Sequence, residues 1–221
     1  MAEYLAAFHF PERMDGLQVL DVGRASGYFA FEFERRGAIV TATELSSIMD
    51  WDFVGGDLAR EERRKGIPDM ESFDIKNIYG AFEFARRVRK SKVISKSIRV
   101  YELRPEAFGE QKFDLVFAGS ITSHLRDPIG ALERIYSVTK DLAVISTPVF
   151  DLHPGTDQPL MKLVGTFDAD RRSWWNINER GLHEILYCAG FRTVTTVGSF
   201  ELCNRRDPRA KSPHVVVHAR I

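Results

Sequence analysis

One short stretch near the start of the chain constrains its fold most strongly. The apolar run Val19–Val22 ends at a turn of small residues, Gly23–Gly27, and a helical pattern begins at Tyr28. Gly23 and Gly27 can adopt backbone angles that a side chain forbids, and they allow a ligand to approach the backbone closely. The first turn of a helix adds unpaired N–H groups and a positive dipole end. The stretch therefore predicts a strand, a turn and a helix that together suit an anionic or polar ligand group.

An acidic residue follows the glycine turn at the spacing found in nucleotide-binding folds. The second predicted strand, Ile39–Thr43, is closed by Glu44, which lies 21 positions after Gly23. In nucleotide-binding α/β folds, an acid at about this distance accepts hydrogen bonds from ribose hydroxyls. Asp21 and Gly27 complete the pattern on the first strand and turn. This register favours a nucleotide-type cofactor over the alternative that the glycines serve only an ordinary turn.

The spacing of the small residues separates two classes of cofactor. The dinucleotide fingerprint requires glycines at its first, third and sixth positions, which here hold Gly23, Ala25 and Tyr28. Tyr28 is too bulky where helix and strand must pack closely, so a nicotinamide enzyme is the least favoured reading. The pattern acid-x-Gly-x-small-x-Gly is instead matched throughout, by Asp21, Gly23, Ala25 and Gly27. It resembles the first motif of class I S-adenosylmethionine-dependent methyltransferases.

The resemblance implies a fold: an α/β, doubly wound, seven-stranded and mostly parallel sheet with an antiparallel last strand. We expect a single domain over residues 1–221, with an inserted helical and loop segment at about 45–97 that includes a helical stretch over 75–92. The later strands are expected at residues 98–103, 113–118, 142–146, 192–197 and 214–219. Helices are expected at 129–139 and at 179–189, the second capped by Asn178 and ended by Gly190. Residues 149–176 read as loop, and 205–211 as the connection of a closing hairpin.

The resemblance also assigns residues to S-adenosyl-L-methionine, the expected cofactor. Its methionine end is assigned to the first motif, its ribose to Glu44, and its adenine to Glu102 and Leu103. The expected cofactor-binding residues are Asp21, Gly23, Arg24, Ala25, Gly27, Glu44, Leu45, Glu102, Leu103, Gly119 and Ser120. Residues 119–124 follow the fourth strand, and ligands bind outside the carboxyl ends of strands in open α/β sheets. We therefore expect this segment over the reacting centre.

His124 is the candidate general base, because imidazole can exchange a proton near neutral pH. The alternative is a loop histidine that helps to start the next helix, and we expect Asp127 to be a helix cap rather than an acid. Four further side chains are candidates for substrate contact: Trp51, His153, Trp174 and Trp175. Each tryptophan could equally be buried in the core.

Other segments of the sequence resemble one particular group of methyltransferases. The stretches Asp50–Asp52, Val100–Glu106, His124–Pro128 and Ser173–Trp175 are similar to a methyltransferase group that includes the enzymes modifying the wobble uridine of tRNA. The chain also has a basic cluster, which consists of Arg86, Arg87, Arg89, Lys90, Lys92, Lys96 and Arg99. Such a cluster can bind the phosphates of RNA or of a phosphorylated ligand, or it can be a solvated helix face. We expect a small-molecule acceptor, with tRNA as the alternative and a non-catalytic cofactor-binding scaffold as a third reading.

The composition gives no sign of a nucleic-acid-binding, disulfide-rich, metal-binding or membrane protein. Lysine plus arginine and aspartate plus glutamate number 31 each, so no global field directs the protein to nucleic acid or membrane. The two cysteines form no disulfide framework, and no metal-ligand spacing is present, so no metal is expected. We expect neither a signal peptide nor a membrane span, and no apolar run is long enough to cross a bilayer. We expect a cytoplasmic protein, and the sequence does not determine its oligomeric state.

Overall fold

The computed structural model describes residues 2–165, 173–203 and 211–221. Within these ranges the helices are α1 (Ala2–Ala6), α2 (Tyr28–Arg35), α3 (Gly56–Lys65), α4 (Met70–Asp74), α5 (Gly80–Arg89), α6 (Pro128–Val138) and α7 (Glu179–Cys188). The strands are β1 (Gln18–Val22), β2 (Ile39–Glu44), β3 (Ile94–Ser97), β4 (Phe113–Gly119), β5 (Thr139–Pro148), β6 (Met161–Leu163), β7 (Trp175–Ile177), β8 (Thr193–Cys203) and β9 (Lys211–Arg220).

A seven-stranded sheet organises these elements, in the order β3-β2-β1-β4-β5-β9-β8. The first five strands pair in parallel, so Leu20 of β1 lies opposite Thr41 of β2 and Val116 of β4. β9 pairs antiparallel with both β5 and β8. This confirms the predicted fold, including its antiparallel last strand. The strand order reverses at β1, where a doubly wound sheet opens a crevice for ligands.

Alternation along the strands buries side chains on both faces of the sheet. Leu20 and Val22 of β1 pack on one face with α6 and α7, where Leu132 and Leu182 are fully buried. Val19 packs on the other face with α2 and with aromatic residues that precede β1. A strand that is covered on both sides reads as a continuous apolar run, as Val19–Val22 does.

The segment between β2 and β3 forms a smaller unit of its own. Its helices α3 and α4 enclose a minor core that includes Ile48, Phe53 and Ile78. α5 joins this unit to the main domain, because Phe82 stacks on Phe31 of α2 with ring centroids 5.3 Å apart. The expected helix over 75–92 is divided, since Ile75–Tyr79 forms a π-helical turn before α5.

The third strand was predicted in the wrong place. Residues 98–103 alternate in polarity, but the strand is Ile94–Ser97 and Val100–Glu102 is a 3₁₀ turn. β3 is the edge of the sheet and pairs only with β2 in the described chain, so its partly exposed residues carry no apolar signal. Ile98 and Val100 are apolar because they pack against the main core from this turn.

Other boundaries shift less. Residues 149–176 are not entirely loop, because β6 and β7 pair as a short antiparallel ladder. Asn178 caps α7 as expected, with its side-chain oxygen accepting from the Gly181 N–H, and Gly190 follows the helix at a φ of 112°. The strands of the closing hairpin are longer than predicted. Lys211 begins β9, while 204–210, the rest of the expected connection, lies outside the described residues.

Candidate active site

A cavity of about 310 Å³ opens at the carboxyl ends of β1, β2 and β4, where the sheet reverses its order. The insertion covers one side of it and the 3₁₀ turn after β3 another. The lining residues are Val22, Gly23, Ala25, Thr43, Glu44, Leu45, Asp50, Trp51, Asp52, Ile98, Arg99, Val100, Tyr101, Gly119, Ser120, Ile121, His124 and Leu125. Elements distant in sequence therefore converge on the predicted ligand crevice.

The turn after β1 forms one end of this cavity, and its backbone is held on β2. The N–H groups of Gly23 and Arg24 both donate to the carbonyl of Thr43, at 3.0 Å each. Gly23 has a φ of 74°, and a Cβ there would lie 3.0 Å from a methyl carbon of Ile121. Ala25 also adopts a positive φ, of 46°. The turn thus exposes backbone, rather than side chain, to the cavity.

Glu44 closes β2 and braces this turn. One carboxylate oxygen accepts from the Ala25 N–H at 2.9 Å, and the other accepts from the Leu45 N–H at 2.9 Å. Each carboxylate oxygen has two acceptor sites, so both can accept a further hydrogen bond. Because Glu44 also lines the cavity, it can present this capacity to ligand hydroxyls.

Asp21 and Arg24 lie beneath the turn rather than on the cavity wall. Asp21 is 2% exposed, and its Oδ2 has no hydrogen-bond partner within the described residues. Burial, with a smaller contribution from the charge of Glu44, raises the pKa of Asp21 to about 7. Arg24 stacks over the ring of Phe82 at 4.2 Å, and burial lowers the pKa of its guanidinium.

Gly27 is the N-terminal cap of α2, with a φ of 85°, and does not line the cavity. A Cβ at this position would lie 2.5 Å from a ring carbon of Phe82 and 2.7 Å from one of Phe31. The glycine therefore admits the aromatic ring of α5 against the start of α2. Its role in the structure is packing behind the turn.

The opposite end of the cavity holds the candidate base. His124 lies in a 3₁₀ turn after β4, and its ring centroid is 5.8 Å from that of Trp51. Gly119, the last residue of β4, and Ser120 also line the cavity. Ser120 has a φ of 57°, and its N–H donates to the Ser146 carbonyl at 2.7 Å. Trp51 and His124, which the sequence analysis named as candidates for substrate contact and for the base, therefore both line the cavity.

Two expected adenine contacts lie elsewhere. Leu103 is fully buried in the main core, and Glu102 is exposed, with its carboxylate toward the Arg99 N–H at 3.4 Å. Neither lines the cavity. Ile98, Val100 and Tyr101 do, and the sequence reading missed them because it placed 98–103 in a strand. Their apolar alternation was the available signal.

The remaining candidates for substrate contact lie outside the cavity wall. His153 is exposed beside a separate polar depression near the start of α7. The indole N–H of Trp174 donates to the Asp52 carbonyl at 2.6 Å, and that of Trp175 to the Arg126 carbonyl at 3.2 Å. The two tryptophans thus support the segments that form the wall. Asp127 is a cap, as predicted, because its carboxylate accepts from the Gly130 N–H.

The basic cluster is divided by internal contacts. Arg86 pairs with Glu83, Arg89 stacks over the ring of Phe31, and Lys96 donates to the Ala107 carbonyl. Arg99 also approaches a carboxylate of the insertion. Arg87, Lys90 and Lys92 remain exposed.

In the ranges that the structure describes, no helix is long and apolar enough to cross a bilayer. Across the same part of the chain, no group of three or more histidine, cysteine or acidic side chains is arranged to hold a metal ion.

The sequence matches a known protein family over most of its length. Residues 1–196 match a family described as a methyltransferase domain. The chain belongs to this family. The match includes every residue that lines the cavity, and it ends within β8. No curated protein is significantly similar to the sequence of this methyltransferase-domain protein.

Solved structures share its fold at low sequence identity. The N-terminal domain of EvdMO1, with S-adenosylhomocysteine bound, is 17% identical with a TM-score of 0.59, and the match covers 99% of this chain and 78% of that one. The 1,6-didemethyltoxoflavin-N1-methyltransferase of Burkholderia thailandensis is 20% identical, with a TM-score of 0.58 over 93% and 71% of the two chains. Magnesium protoporphyrin IX methyltransferase of Synechocystis PCC 6803 is 14% identical, with a TM-score of 0.57 over 99% and 78%.

Proposed function

We propose that this protein is an S-adenosyl-L-methionine-dependent methyltransferase that acts on a small molecule. The observation that carries the proposal is the position of Glu44. Its carboxylate faces the cavity while it braces the Ala25 N–H of the first turn, so backbone and acid meet at one end of a single pocket. Family membership supports the reaction class, and three neighbours of the same fold carry the cofactor or its demethylated product.

The residues of the cavity fit this cofactor. Its volume of about 310 Å³ lies in the range of small-molecule and cofactor sites. Glu44 offers acceptors for ribose hydroxyls, and the turn at Gly23 and Ala25 offers close backbone for the methionine end. The apolar wall of Ile98 and Val100 suits the faces of an adenine ring. Leu45 and Gly119 complete the wall between these groups.

When bound, the cofactor supplies a methyl group on a sulfonium, which is already a strong donor. The protein must then hold the acceptor in line with that methyl and exclude water. Trp51 and His124 provide an aromatic and polar surface for the acceptor at the far end. Where the acceptor is a hydroxyl or an amine, we assign His124 to accept the proton that the acceptor loses.

A small acceptor suits the size of the cavity. The far end of the cavity is bounded by Trp51, Tyr101 and His124, and the volume of about 310 Å³ is that of a small-molecule site. Two neighbours are named for compact acceptors, a toxoflavin precursor and a magnesium porphyrin. The internal contacts of four of the seven basic residues, from Arg86 to Arg99, weaken the tRNA alternative.

The test is calorimetric titration with S-adenosylhomocysteine. We expect micromolar affinity in the unmodified protein. Glu44→Gln should weaken binding by about 1–3 kcal/mol, because it replaces a charged hydrogen-bond partner by a neutral one. The glutamine keeps an oxygen for the Ala25 N–H, although its NH2 group cannot accept from the Leu45 N–H, so a circular dichroism spectrum should accompany the titration to verify the fold. Glu133→Gln on the exposed face of α6 is the matched control, with unchanged affinity expected.

Unchanged affinity in Glu44→Gln would remove this residue from the site, and no binding in the unmodified protein would refute the proposal. The tRNA alternative has its own signature. It predicts retention of tRNA at low salt and a steep loss of affinity as salt rises. We expect no such retention.

A further inference from the structure

Asp52 joins segments of the chain that are far apart in sequence. Its Oδ2 accepts from the Tyr101 hydroxyl at 2.5 Å and from the Arg126 N–H at 2.9 Å. Its Oδ1 lies 3.5 Å from the Arg99 guanidinium, and its carbonyl accepts from the Trp174 indole at 2.6 Å. One residue of the insertion is therefore bound by the turn after β3, the loop after β4 and the start of β7.

Tyr101 extends this connection to a second point on the same loop. Its hydroxyl oxygen accepts from the Asp127 N–H at 3.1 Å while the hydroxyl donates to Asp52. Burial and the hydrogen bond to Asp52 raise the pKa of the Tyr101 phenol, so it stays protonated and keeps its donor. The Asp127 N–H, the Tyr101 hydroxyl and the Asp52 carboxylate thus form a continuous chain of two hydrogen bonds.

The residues next to these contacts are those that face the acceptor end of the cavity. Trp51 directly precedes Asp52, and His124 lies two positions before Arg126. The hydrogen bond from the Arg126 N–H to Asp52 therefore holds together the two segments that carry the Trp51 and His124 rings, whose centroids are 5.8 Å apart. Hydrogen bonds to a carboxylate are stronger than neutral ones, and this carboxylate is 13% exposed, which limits solvent screening.

We propose that Asp52 is a positioning residue: it latches the insertion to the loop after β4, sets the Trp51–His124 wall, and retards release of the cofactor product. The inference rests on the proposed function for the identity of that ligand. The latch can affect ligand exchange directly, because Trp51, Asp52 and Tyr101 all line the cavity. Through these Asp52 contacts, the insertion would have a role in ligand exchange.

The test compares Asp52→Ala with Asp57→Ala, an exposed acid of the same insertion. We expect Asp52→Ala to raise the dissociation rate of S-adenosylhomocysteine about tenfold or more, because two donors lose a charged acceptor. Tyr101→Phe should have a smaller effect in the same direction, and Tyr187→Phe on α7 serves as its control. Asp57→Ala should behave as the unmodified protein.

A second measurement needs no ligand. Amide hydrogen exchange at Arg126 and Asp127 should accelerate in Asp52→Ala, while the amides of β1 and β4 keep their protection. The three tryptophans of the chain are Trp51, Trp174 and Trp175, all beside the latch, so their emission should shift to the red in the same variant. Uniform loss of protection across the sheet would indicate a general structural role and contradict the proposal.

The outcomes separate the two claims. Absence of product binding in the unmodified protein refutes the proposed function, whereas the latch is then judged by exchange at Arg126. Product release at the normal rate from Asp52→Ala overturns the positioning role, even where exchange at Arg126 rises. If that variant does not fold, Asp52→Asn keeps the side-chain volume and one acceptor, and it should give an intermediate release rate.

Discussion

The two ends of the cavity are built in different ways. At the end proposed for the cofactor, backbone groups of Gly23, Arg24 and Ala25 are held by the last residues of β2, which is the next strand in both sequence and space. At the end proposed for the acceptor, the hydrogen-bond partners of Asp52 lie 49, 74 and 122 positions away along the chain. The first end follows from a local motif. The second exists only once the whole domain has folded.

This difference suggests that the two ends tolerate change differently. The cofactor end rests on the main core through α2 and the aromatic packing of α5. The acceptor end rests on hydrogen bonds between side chains and loops. Substitutions behind the turn should therefore lower global stability, whereas substitutions in the latch should alter ligand exchange with less effect on folding.

Phe82→Ala should give the largest loss of stability. Phe82 is fully buried, stacks on Phe31 and lies under the Arg24 guanidinium, so truncation leaves a cavity behind the turn. We expect a loss of about 3–5 kcal/mol in the free energy of unfolding, measured by denaturant titration. Phe84→Ala, on the same helix but 67% exposed, should change it by less than about 0.5 kcal/mol. Equal effects of the two would mean that α5 does not support the turn.

A matched pair of glycine substitutions separates packing from backbone strain. Gly27 and Gly16 both have a positive φ, but only at Gly27 would a Cβ meet neighbouring ring atoms below 3 Å. Gly16→Ala should cost about 1–2 kcal/mol from backbone strain alone. Gly27→Ala should cost a further ~1–3 kcal/mol from overpacking against Phe82. Thermal unfolding of the two variants measures the difference, and equal costs would argue against close packing of α5 on α2.

The pH dependence of stability tests the burial of Asp21. Its folded pKa, raised to about 7, lies above the ordinary value of 3.8, so the folded state binds a proton that the unfolded state releases. The stability that Asp21 contributes is fully present below the unfolded-state pKa of 3.8 and is lost as the pH rises through the folded-state pKa of about 7. Between them the free energy of unfolding should fall by up to ~1.4 kcal/mol per pH unit from this group. Asp21→Asn should remove that slope, and parallel pH profiles of the two proteins would contradict the burial.

The sequence predicted what local chemistry determines. Glu44 and the turn at Gly23 follow a fixed spacing within one strand-turn-helix-strand unit, and the caps at Asn178 and Asp127 depend on the next three residues. Each was located from residue type and position alone. The parallel order of the central strands followed from the resemblance that this unit carried.

What the sequence could not predict depends on distant contacts. β3 is an edge strand, so its position is set by the free backbone groups of β2 rather than by an apolar pattern of its own. The error moved Tyr101 into a strand and concealed its place on the cavity wall. Asp52 gave no local signal either, because its partners Tyr101 and Arg126 are brought together only by the folded sheet.

The most direct test of this account is a crystal structure of the protein with S-adenosylhomocysteine. We expect the ribose hydroxyls on the carboxylate of Glu44, the methionine end against the backbone of Gly23 and Ala25, and the sulfur facing Trp51 and His124. A ligand bound elsewhere, or a Glu44 carboxylate that contacts only the protein backbone beside bound ligand, would contradict it.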